Sequence, residues 1–497
     1  MPEPAIEAAQ VTFAYPPLAP ELPAATLFET LTCRLDAGES LTVLGASDSG
    51  KSALCYLLAG LAPRYTGGEL QGRLRVLGHD VAASLPPAGA VGLLFQDAAT
   101  QLFNSTVENE VAWGLESLAV PAPEIGPRVM QALQRFGMLE QRDRPPWALS
   151  GGQQKRLALA ALWALRPRLL LLDEPLSGLD PAGRAEVLKS LELLRRGGAT
   201  LLFTTPYLHD VSPAAGVTLL ENGCLSTPVS SAELRAQEEH LVAAGLRCPA
   251  RYWDELTRNR ATIGPEPAIE VRRLRFRYPS GLPVLHDLDL TIPQGQFVAL
   301  VGANGAGKTT LVRHFNGLLR PTSGSLRVLG QESDSLSVGQ LARQVGFLFQ
   351  RPEQQIFGTT VLEEVTYGPR QLQLPDAEAR VARALARFGL ESSACRPPAI
   401  LGYGTQRAVT LAALSALETP VLVLDEPTVG LDGRGWAQLL TWLAERRAAG
   451  VTLIIVTHEM SLAACADRVV VMEGGRVVAD GPPETVLPPG QGPEDAG

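Results

Sequence analysis

The sequence predicts an α/β fold that occurs twice along one chain. Two segments, 45–52 and 302–309, match the pattern G-x-x-x-x-G-K-[ST], and each lies between an apolar strand and apolar residues at helical spacing. Other residues recur at nearly constant offsets, Gln96 with Gln350 by 254 and Asp173 with Asp425 by 252. Strands that alternate with helices indicate a parallel sheet covered on both faces. We therefore expect a tandem duplication of one domain.

Four further segments recur in the same order in both copies. A strand-like stretch ending in Tyr-Pro opens each copy, and an apolar strand leads into the glycine-rich loop. Apolar residues at i, i+4 and i+7 then predict an amphipathic helix in a helical insertion, and a buried strand ends in Asp-Glu-Pro. These segments are 11–16, 41–44, 129–136 and 169–172 in the first copy, and 274–279, 297–301, 381–388 and 421–424 in the second.

The strand–loop–helix context makes each glycine-rich segment a predicted phosphate-binding loop. Glycines let backbone N–H groups close around phosphates, the lysine reaches the β- and γ-phosphates, and the final hydroxyl ligates Mg²⁺. The candidate ATP-binding residues are Gly45, Ser49, Gly50, Lys51 and Ser52 in the first copy, and Gly302, Asn304, Gly305, Ala306, Gly307, Lys308, Thr309 and Thr310 in the second. The pattern predicts two nucleotide sites that also bind Mg²⁺, and the family resemblance described below implies that the nucleotide is ATP.

The residues between the two copies indicate the domain boundaries. A first domain is expected over 1–236, closing after a capping-box helix start at Ser230 and Glu233. Residues 237–266 have no counterpart elsewhere and are interpreted as a linker, and about 30 residues could extend over roughly 100 Å. That reach would let the two halves pair face to face. The second domain is expected over 267–488, and the Pro- and Gly-rich tail 489–497 is expected to be disordered.

Bulk composition narrows the class of protein. The 497 residues include 43 Lys+Arg against 52 Asp+Glu, a net charge of −9, which disfavours nucleic acid as the main partner. The six cysteines are dispersed without a C-x-x-C pair, as expected in a reducing cytosol. Residues 1–4 show no secretory signal pattern, and the apolar runs fall far short of the roughly 20 residues of a spanning helix. A membrane role would therefore be that of a peripheral subunit.

A fuller set of motifs points to one family. Phe-Gln, Leu-Asp-Glu-Pro and Gly-Leu-Asp follow the loop in both copies, Leu-Ser-Gly-Gly-Gln occupies 149–153, and Thr-His occupies 457–458. Their order and spacing resemble the ATP-binding-cassette (ABC) ATPases over nearly the whole chain apart from the linker and tail. The resemblance implies two tandem P-loop domains, each with a mixed or parallel core sheet, an antiparallel β part and a helical insertion.

The resemblance also implies residue roles. It makes Glu174 and Glu426 general bases that polarise the attacking water, and it makes His458 a γ-phosphate contact. The implied Mg²⁺ ligands are Ser52, Thr309, Gln96, Gln350, Asp173 and Asp425, the two glutamines also sensing the γ-phosphate. The implied signature, which faces the nucleotide of the other half, is Ser150, Gly151, Gly152 and Gln153. Tyr15 and Tyr278 would stack on adenine, although packing at a strand edge would also account for them.

A second sequence pattern follows Gln96 in the first copy and Gln350 in the second. Residues 101–108 and 355–362 align without a gap and resemble the ATPases of energy-coupling-factor importers, which take up vitamins and transition-metal ions. The resemblance implies that transmembrane coupling helices dock there, although the segment could instead pack the helical insertion. It also implies a transmembrane scaffold subunit and a substrate-binding membrane subunit as partners, at the cytoplasmic face of the membrane. Nothing in the nucleotide motifs encodes the cargo.

Two departures from the family pattern fall in the same composite site. Leu-Gly-Tyr-Gly-Thr, residues 401–405, occupies the second signature slot and places Tyr403 where a glycine is usual. Pro206 occupies the first switch-histidine slot and has no N–H to donate, while nearby His209 is expected to be solvated. We expect one competent site and one, at Lys51, that binds ATP but turns over poorly. Tolerated drift at Tyr403 and Pro206 is the alternative.

These patterns together predict two fused cassette ATPases, paired as an intramolecular pseudo-dimer, that drive a membrane importer. A soluble cassette ATPase acting on ribosomes or nucleic acid is the first alternative. The short linker and negative net charge disfavour it. A non-catalytic ATP-dependent regulator is the second alternative, and the presence of both Glu174 and Glu426 disfavours it.

Overall fold

The computed structural model describes residues 4–17, 25–211, 216–258, 262–279, 281 and 283–487. The chain forms two compact units, residues 1–247 and 248–497. The predicted tail, 489–497, lies outside the described residues. Within the described residues, no helix is both long enough and apolar enough to cross a membrane.

The first unit alternates strands and helices after an antiparallel start. Its elements are β1 (Pro4–Tyr15), β2 (Ala25–Asp36), β3 (Ser40–Leu44), α1 (Lys51–Leu58), β4 (Glu69–Val76), β5 (His79–Asp80), β6 (Val91–Leu94), α2 (Val107–Ser117), α3 (Ala122–Arg135), α4 (Gly151–Ala164), β7 (Leu169–Asp173), α5 (Pro181–Arg196), β8 (Thr200–Thr205), β9 (Gly216–Glu221), β10 (Cys224–Leu225), α6 (Ser231–Arg235) and α7 (Glu238–Ala243).

The second unit repeats this order. Its elements are α8 (Ala250–Arg258), β11 (Pro267–Arg277), β12 (Pro283–Pro293), β13 (Phe297–Val301), α9 (Lys308–Phe315), β14 (Ser323–Val328), β15 (Gln331–Glu332), α10 (Val338–Leu341), β16 (Val345–Leu348), α11 (Val361–Gln371), α12 (Ala377–Arg387), α13 (Tyr403–Ser415), β17 (Val421–Asp425), α14 (Gly433–Ala448), β18 (Thr452–Val456), α15 (Met460–Ala464), β19 (Arg468–Glu473), β20 (Arg476–Gly481) and α16 (Pro483–Val486).

Each unit contains two sheets. The first has a four-stranded sheet in the order β2-β1-β4-β5 and a six-stranded one in the order β10-β9-β3-β8-β7-β6. The second has β12-β11-β14-β15 and β16-β17-β18-β13-β19-β20. The small sheets are antiparallel, and the large ones are parallel except for their edge strands β10 and β20. The predicted fold class, a core sheet with an antiparallel part and helices, is confirmed.

The core strands form where the sequence is apolar without alternation. Every residue of β7 and β17 is buried, because helices cover both faces of a parallel sheet. The i, i+4, i+7 prediction of helices in the insertion is also confirmed. Val129 and Leu133 are buried on α3, and Val381 and Leu385 are buried on α12. Parallel strands end at one edge of the sheet, and the glycine-rich loops lie at that edge after β3 and β13.

The segment interpreted as a linker, 237–266, is largely folded. Helix α7 buries Leu241 in the core of the first unit, and α8 buries Trp253 and Leu256 in the core of the second. The Trp253 ring lies 5.1 Å from that of Trp436 on α14. The two helices of this segment are therefore not extended, because their apolar residues contact partners that are distant in sequence, and the role of the segment as a linker stays a prediction. The boundary between the units falls after residue 247, inside the segment.

Candidate nucleotide-binding sites

The loop between β13 and α9 has the geometry of a phosphate cradle. Gly302 and Gly307 adopt positive φ angles of 142° and 96°, which glycine alone adopts without strain. A Cβ on Gly302 would lie 2.2 Å from the Met472 carbonyl oxygen, so no side chain fits there. Lys308 begins α9, and its Nζ donates to the Gly302 and Ala303 carbonyls at 2.5 and 3.1 Å. The loop is thus wrapped around its own lysine, with the N-terminus of α9 facing the cradle.

A pocket of about 370 Å³ opens at this cradle. It brings together residues that are up to 174 positions apart. Apart from Val284 on the antiparallel strand β12, they lie at the ends of parallel strands or in the segments that follow them. The lining residues are Val284, Asn304, Gly305, Ala306, Gly307, Lys308, Thr309, Thr310, Gln350, Asp425, Glu426, Val456 and His458. All of the sequence-predicted residues of the second loop except Gly302 line it, together with Gln350, Asp425, Glu426 and His458. Val284 and Val456 were not predicted, because an aliphatic residue in a strand carries no functional signal.

Glu426 lies at the base of this pocket in a strained conformation. Its φ is 49°, a left-handed value that costs a non-glycine residue about 1–3 kcal/mol and is typical of functional positions. Its Oε2 accepts the backbone N–H of His458 at 3.3 Å, and its Oε1 lies 3.3 Å from Nε2 of that ring. Burial, followed by the neighbouring Asp425, raises the pKa of Glu426 to about 8. The ionised form of a carboxyl with a raised pKa is a stronger base than an ordinary carboxylate.

His458 joins Glu426 to the phosphate-binding loop. Its Nε2 lies 3.0 Å from Asn304 Oδ1 and 3.5 Å from Lys308 Nζ. One imidazole therefore contacts the loop, the lysine and the carboxylate. Contact of His458 with the γ-phosphate stays a prediction.

The first unit holds the corresponding residues in a different set of contacts. Lys51 Nζ donates to the Gly45 and Ala46 carbonyls at 2.9 and 2.8 Å and lies 3.5 Å from Glu174 Oε1. Gln96 Nε2 donates to Glu174 Oε2 at 2.8 Å. Glu174 is buried, which raises its pKa, and its φ of 43° repeats the strain of Glu426. In the first unit, Lys51 and Gln96 contact the carboxylate of Glu174. In the second unit, His458 contacts the carboxylate of Glu426.

The acidic strand ends have the chemistry of a Mg²⁺ site. Asp173 and Asp425 are almost fully buried, and one carboxylate oxygen of each, Oδ2 and Oδ1 respectively, has no hydrogen-bond partner. Ser52 and Thr309 hydrogen-bond the two carboxylates, and Thr204 Oγ1 also donates to Asp173 at 2.8 Å. A buried anionic oxygen without a donor suits a hard cation, and a hydroxyl beside it suits the same ion. The residues present therefore fit Mg²⁺ together with phosphate oxygens.

A conventional metal centre is not part of these sites. Among residues 4–487 as far as they are described, no group of three or more His, Cys, Asp and Glu side chains could hold a metal ion. Each acidic strand end offers one aspartate and one hydroxyl, so a cation there would take most of its ligands from phosphate and water.

The Pro206 region is held by a fixed polar network. Thr205 Oγ1 donates to Asp210 Oδ2 at 2.7 Å and accepts the Tyr207 N–H at 3.0 Å, and Arg184 also donates to Asp210. The predicted solvation of His209 is confirmed, since its side chain is 40 % exposed and its ring stacks on Tyr207 at 5.3 Å. Pro206, which corresponds to His458 of the second unit, therefore lies between residues that are held by hydrogen bonds within the first unit.

A further departure in the first phosphate loop was missed from the sequence. Asp48 has a φ of 61°, and the corresponding Gly305 has a φ of 82°. The first loop thus places an acidic side chain, in a conformation that favours glycine, beside the predicted binding position of a polyanion. The available signal was a non-glycine residue at the fourth position of the pattern, which the pattern itself leaves unspecified.

The two signature segments begin their helices differently. In the first unit Ser150 caps α4 by accepting the Gln153 N–H, and Gln153 Oε1 accepts the Ser150 N–H at 3.0 Å. Gly151 and Gly152 head that helix, and Gly151 is exposed with open space where a Cβ would be. In the second unit Gly402 provides no side-chain cap, and the Tyr403 ring folds back onto Gly430. The first glycine of the intact signature is thus open to a ligand, and the altered signature has in its place a tyrosine whose ring lies against Gly430.

The two predicted adenine-stacking tyrosines lie where the first strand of each unit ends, Tyr15 as the last residue of β1 and Tyr278 directly after β11. Tyr15 packs edge-on against Phe13 with ring centroids 4.9 Å apart, and Tyr278 packs in the same way on Phe276. The Tyr278 hydroxyl lies 3.2 Å from Thr310 Oγ1, and its ring lines a cleft of about 670 Å³ beside the phosphate-loop pocket. The strand-edge packing considered as an alternative is therefore present, and adenine stacking stays a prediction.

Each unit also exposes one aromatic pair next to its glutamine. Phe103 and Trp113 are 60 % and 48 % exposed with ring centroids 4.8 Å apart, and Phe357 and Tyr367 are 62 % and 49 % exposed at 4.5 Å. Buried carboxylates hold these loops in place. Glu110 accepts the N–H groups of residues 103 and 104, and Glu364 accepts those of residues 357 and 358.

Two phosphate loops, two acidic strand ends and two buried glutamates define a P-loop ATPase present twice on one chain. The family model described as "ABC transporter" matches residues 28–177 and 285–429, more than half of the chain. The chain belongs to this family and is an ATP-hydrolysing ABC ATPase with two cassettes in tandem.

Two relatives and one solved structure illustrate the similarity. The chain is 32 % identical over 547 residues to a Methanosarcina acetivorans protein, covering 99 % of this chain and 88 % of that one. It is 31 % identical to a Caldanaerobacter subterraneus protein, covering 90 % of this chain and 87 % of that one. Both carry the provisional name of ABC transporter ATP-binding protein. The structure of cbiO1 from Clostridium perfringens, described as part of the ABC transporter complex cbiONQ, is 34 % identical with a TM-score of 0.41, covering 45 % of this chain and 91 % of that chain.

Proposed function

We propose that this chain is the ATP-hydrolysing, energy-coupling subunit of a membrane importer for vitamins or transition-metal ions. In this proposal its two cassettes pair with each other and form one competent and one degenerate composite ATP site. The chain would lie at the cytoplasmic face of the membrane and bind a transmembrane scaffold subunit, which would associate with a substrate-binding membrane subunit.

The duplicated aromatic pair is the observation that carries the importer proposal. Solvent-exposed aromatic rings in contact with each other are unusual unless a partner covers them, and aromatic residues dominate interface energetics. The pair occurs at equivalent positions of both units. Phe103 and Phe357 lie in the segments predicted to receive coupling helices, and Trp113 and Tyr367 contact them from α2 and α11. A segment that only packed the helical insertion would bury these rings, and all four are about half exposed or more.

Contacts within each unit connect this surface to the nucleotide residues. Gln101 Oε1 accepts the Phe95 N–H at 2.9 Å, and Gln355 Oε1 accepts the Phe349 N–H at 3.1 Å. Each segment predicted to receive a coupling helix, 101–108 or 355–362, is therefore hydrogen-bonded to the residue just before Gln96 or Gln350. A displacement of either glutamine would be transmitted to the exposed rings through a few bonds.

The two sites differ in the donors that they offer. The competent site would combine the second loop, Gln350, Asp425, Glu426 and His458 with the open signature 150–153. The degenerate site would combine the first loop and Pro206 with the signature that contains Tyr403. Loss of one positioned donor can cost about 10²–10³ in rate, so two losses should outweigh the presence of Glu174.

The residues of the competent site would divide the work of hydrolysis. Lys308 and the N–H groups of the loop bind and orient the phosphates, and Glu426 accepts the proton of the attacking water. His458 holds the γ-phosphate and keeps Glu426 in place. A Mg²⁺ ion held by Thr309, Asp425 and Gln350 would neutralise phosphate charge when bound.

Co-purification tests the importer proposal. The tagged chain, extracted from native membranes in mild detergent, should retain a scaffold protein and a small polytopic protein, identified by mass spectrometry. Phe357→Asp should release them, whereas Val478→Asp, a substitution at another exposed apolar residue of the second unit, should not. Recovery with ribosomes or nucleic acid, or recovery alone, would refute the transport role and leave the ATPase intact.

The asymmetry of the sites has a separate test. ATP turnover of the assembled complex is measured for Glu426→Gln and for Glu174→Gln. We expect Glu426→Gln to lower turnover by about 10²–10³ and Glu174→Gln to lower it only a few-fold. Equal losses from the two substitutions would show that both sites hydrolyse ATP.

A further inference from the structure

Arg407 is a buried cation that donates to two backbone carbonyls of the loop that carries Gln350. It lies on α13 with no solvent exposure, and its Nη1 donates to the Phe349 carbonyl at 2.6 Å. Its Nη2 donates to the Gln350 carbonyl. A planar guanidinium can hold two successive carbonyls at once, whereas an ammonium group acts as a single point charge. Gln355 also accepts the Phe349 N–H. Both the N–H and the carbonyl of the residue before Gln350 are therefore held by hydrogen bonds.

Tyr403 completes the contact from one helical turn earlier. Its hydroxyl donates to the Gln350 carbonyl at 3.4 Å and accepts from Arg407 Nη2 at 3.4 Å. The Arg407 guanidinium lies 5.9 Å from the centre of the tyrosine ring, within the range of a cation–π interaction. The ring fits because residue 430 is glycine, since a Cβ there would lie 2.3 Å from a ring carbon.

The first unit is connected differently at the corresponding positions. Lys155 corresponds to Arg407, and its Nζ donates to the Glu174 and Ser177 carbonyls at 3.2 and 2.7 Å. Gly151 corresponds to Tyr403 and has no ring to contribute. The cation on α4 thus holds the loop after the acidic strand end, and the cation on α13 holds the loop of the glutamine. Tyr403 and Arg407 are four residues apart and form one contact, so the two differences from the first unit are connected.

We propose that Tyr403 and Arg407 form a clasp that positions Gln350 for the nucleotide site of the second phosphate loop. The proposal rests on the function proposed above, in which Gln350 serves the competent site. Tyr403, which lies in the altered signature, then has a function within its own unit and is not drift. Arg407 acts through Gln350 and is a positioning residue, since it contacts only backbone and tyrosine.

The test uses the full-length chain with its membrane partners and measures kcat and KM for ATP. We expect Arg407→Lys to lower kcat about ten- to a hundredfold with KM unchanged, since displacement of a reacting group by about 1 Å has that effect. Tyr403→Phe removes only the hydroxyl and should lower kcat a few-fold. Arg407→Lys added to Gln350→Ala should cause no further loss, because the clasp then has nothing to position.

Arg447→Lys is the matched control. Arg447 is also buried, donates to the Leu256 and Cys465 carbonyls, and lies 5.3 Å from an aromatic ring, that of Phe297. It lies away from the phosphate-loop pocket, so Arg447→Lys should lower the melting temperature and leave kcat unchanged.

Three outcomes would overturn the clasp. An unchanged kcat for Arg407→Lys, or a loss that multiplies with that of Gln350→Ala, would show that Arg407 is merely structural. An unchanged kcat for Gln350→Ala would remove Gln350 from the competent site, and with it the role that the clasp is proposed to support, while the importer proposal would still be decided by the co-purification. Loss of kcat in Gln350→Ala but not in the clasp variants would end this inference alone.

Discussion

Substitution of Trp253 tests whether helix α8 is part of the core of the second unit. Its side chain is 3 % exposed and packs on Trp436 within the core of the second unit. Trp253→Ala would leave a cavity there, and truncation of a buried aromatic residue costs about 3–5 kcal/mol. For a unit of some 250 residues this corresponds to a fall of about 6–20 °C in the melting temperature of that unit. Trp253→Phe keeps most of the contact and removes an indole N–H that has no partner, so it should cost much less.

Hydrogen exchange with mass spectrometry reports each unit separately in the intact chain. Trp253→Ala should speed exchange in β17 of the second unit and leave β7 of the first unit unchanged. Leu241→Ala on α7 is the reciprocal variant, because Leu241 is fully buried in the first unit. It should speed exchange in the first unit alone. Unchanged exchange in β17 after Trp253→Ala would refute the assignment of α8 to the second core and restore a passive linker.

Three further predictions concern single residues. Asp48→Gly should tighten ATP binding at the first loop, because it removes a negative charge and a strained φ angle, and Gly305→Asp should weaken ATP binding at the second loop. Isothermal titration with a non-hydrolysable ATP analogue measures both affinities, and unchanged affinities would contradict this prediction. Burial lowers the pKa of Lys155 from 10.5 to about 8, so between these values the unfolded chain binds more protons and folding stability falls as the pH falls. Lys155→Met should therefore gain about 3 kcal/mol over wild type between pH 10.5 and 8, at about 1.4 kcal/mol per pH unit. Urea unfolding at several pH values measures this gain, and a difference that does not change with pH would contradict it. Glu364→Ala removes the acceptor of two loop N–H groups and should cost about 1–3 kcal/mol, seen as faster hydrogen exchange confined to residues 356–362.

The local elements were predictable because their signals are short-range. The phosphate loops, the strands at 169–173 and 421–425 and the capping box at Ser230 follow from residues a few positions apart, and the structure confirms them as elements. The phosphate-loop pocket was largely predictable for a related reason. Parallel strands end at one edge of a sheet, so residues that follow those strands must meet there.

The remaining features depend on contacts between distant residues. The burial of Trp253 needs Trp436, 183 positions later, and no local pattern in 237–266 indicates that partner. The positive φ of Asp48 depends on how the loop closes. The sequence places Tyr403 where a glycine is usual, and only the structure shows that its ring lies against Gly430 of the same unit.

The sequence by itself determined that this protein contains two P-loop ATPase cassettes, because the chemistry of phosphate binding demands particular residues at particular short spacings. It also determined that the cassettes are unequal, since Pro206 and Tyr403 are visible as departures from a pattern. Only the tertiary structure decided what those departures touch. Which carbonyl a buried guanidinium holds, and which core a helix joins, depends on side chains that converge only when the chain is folded.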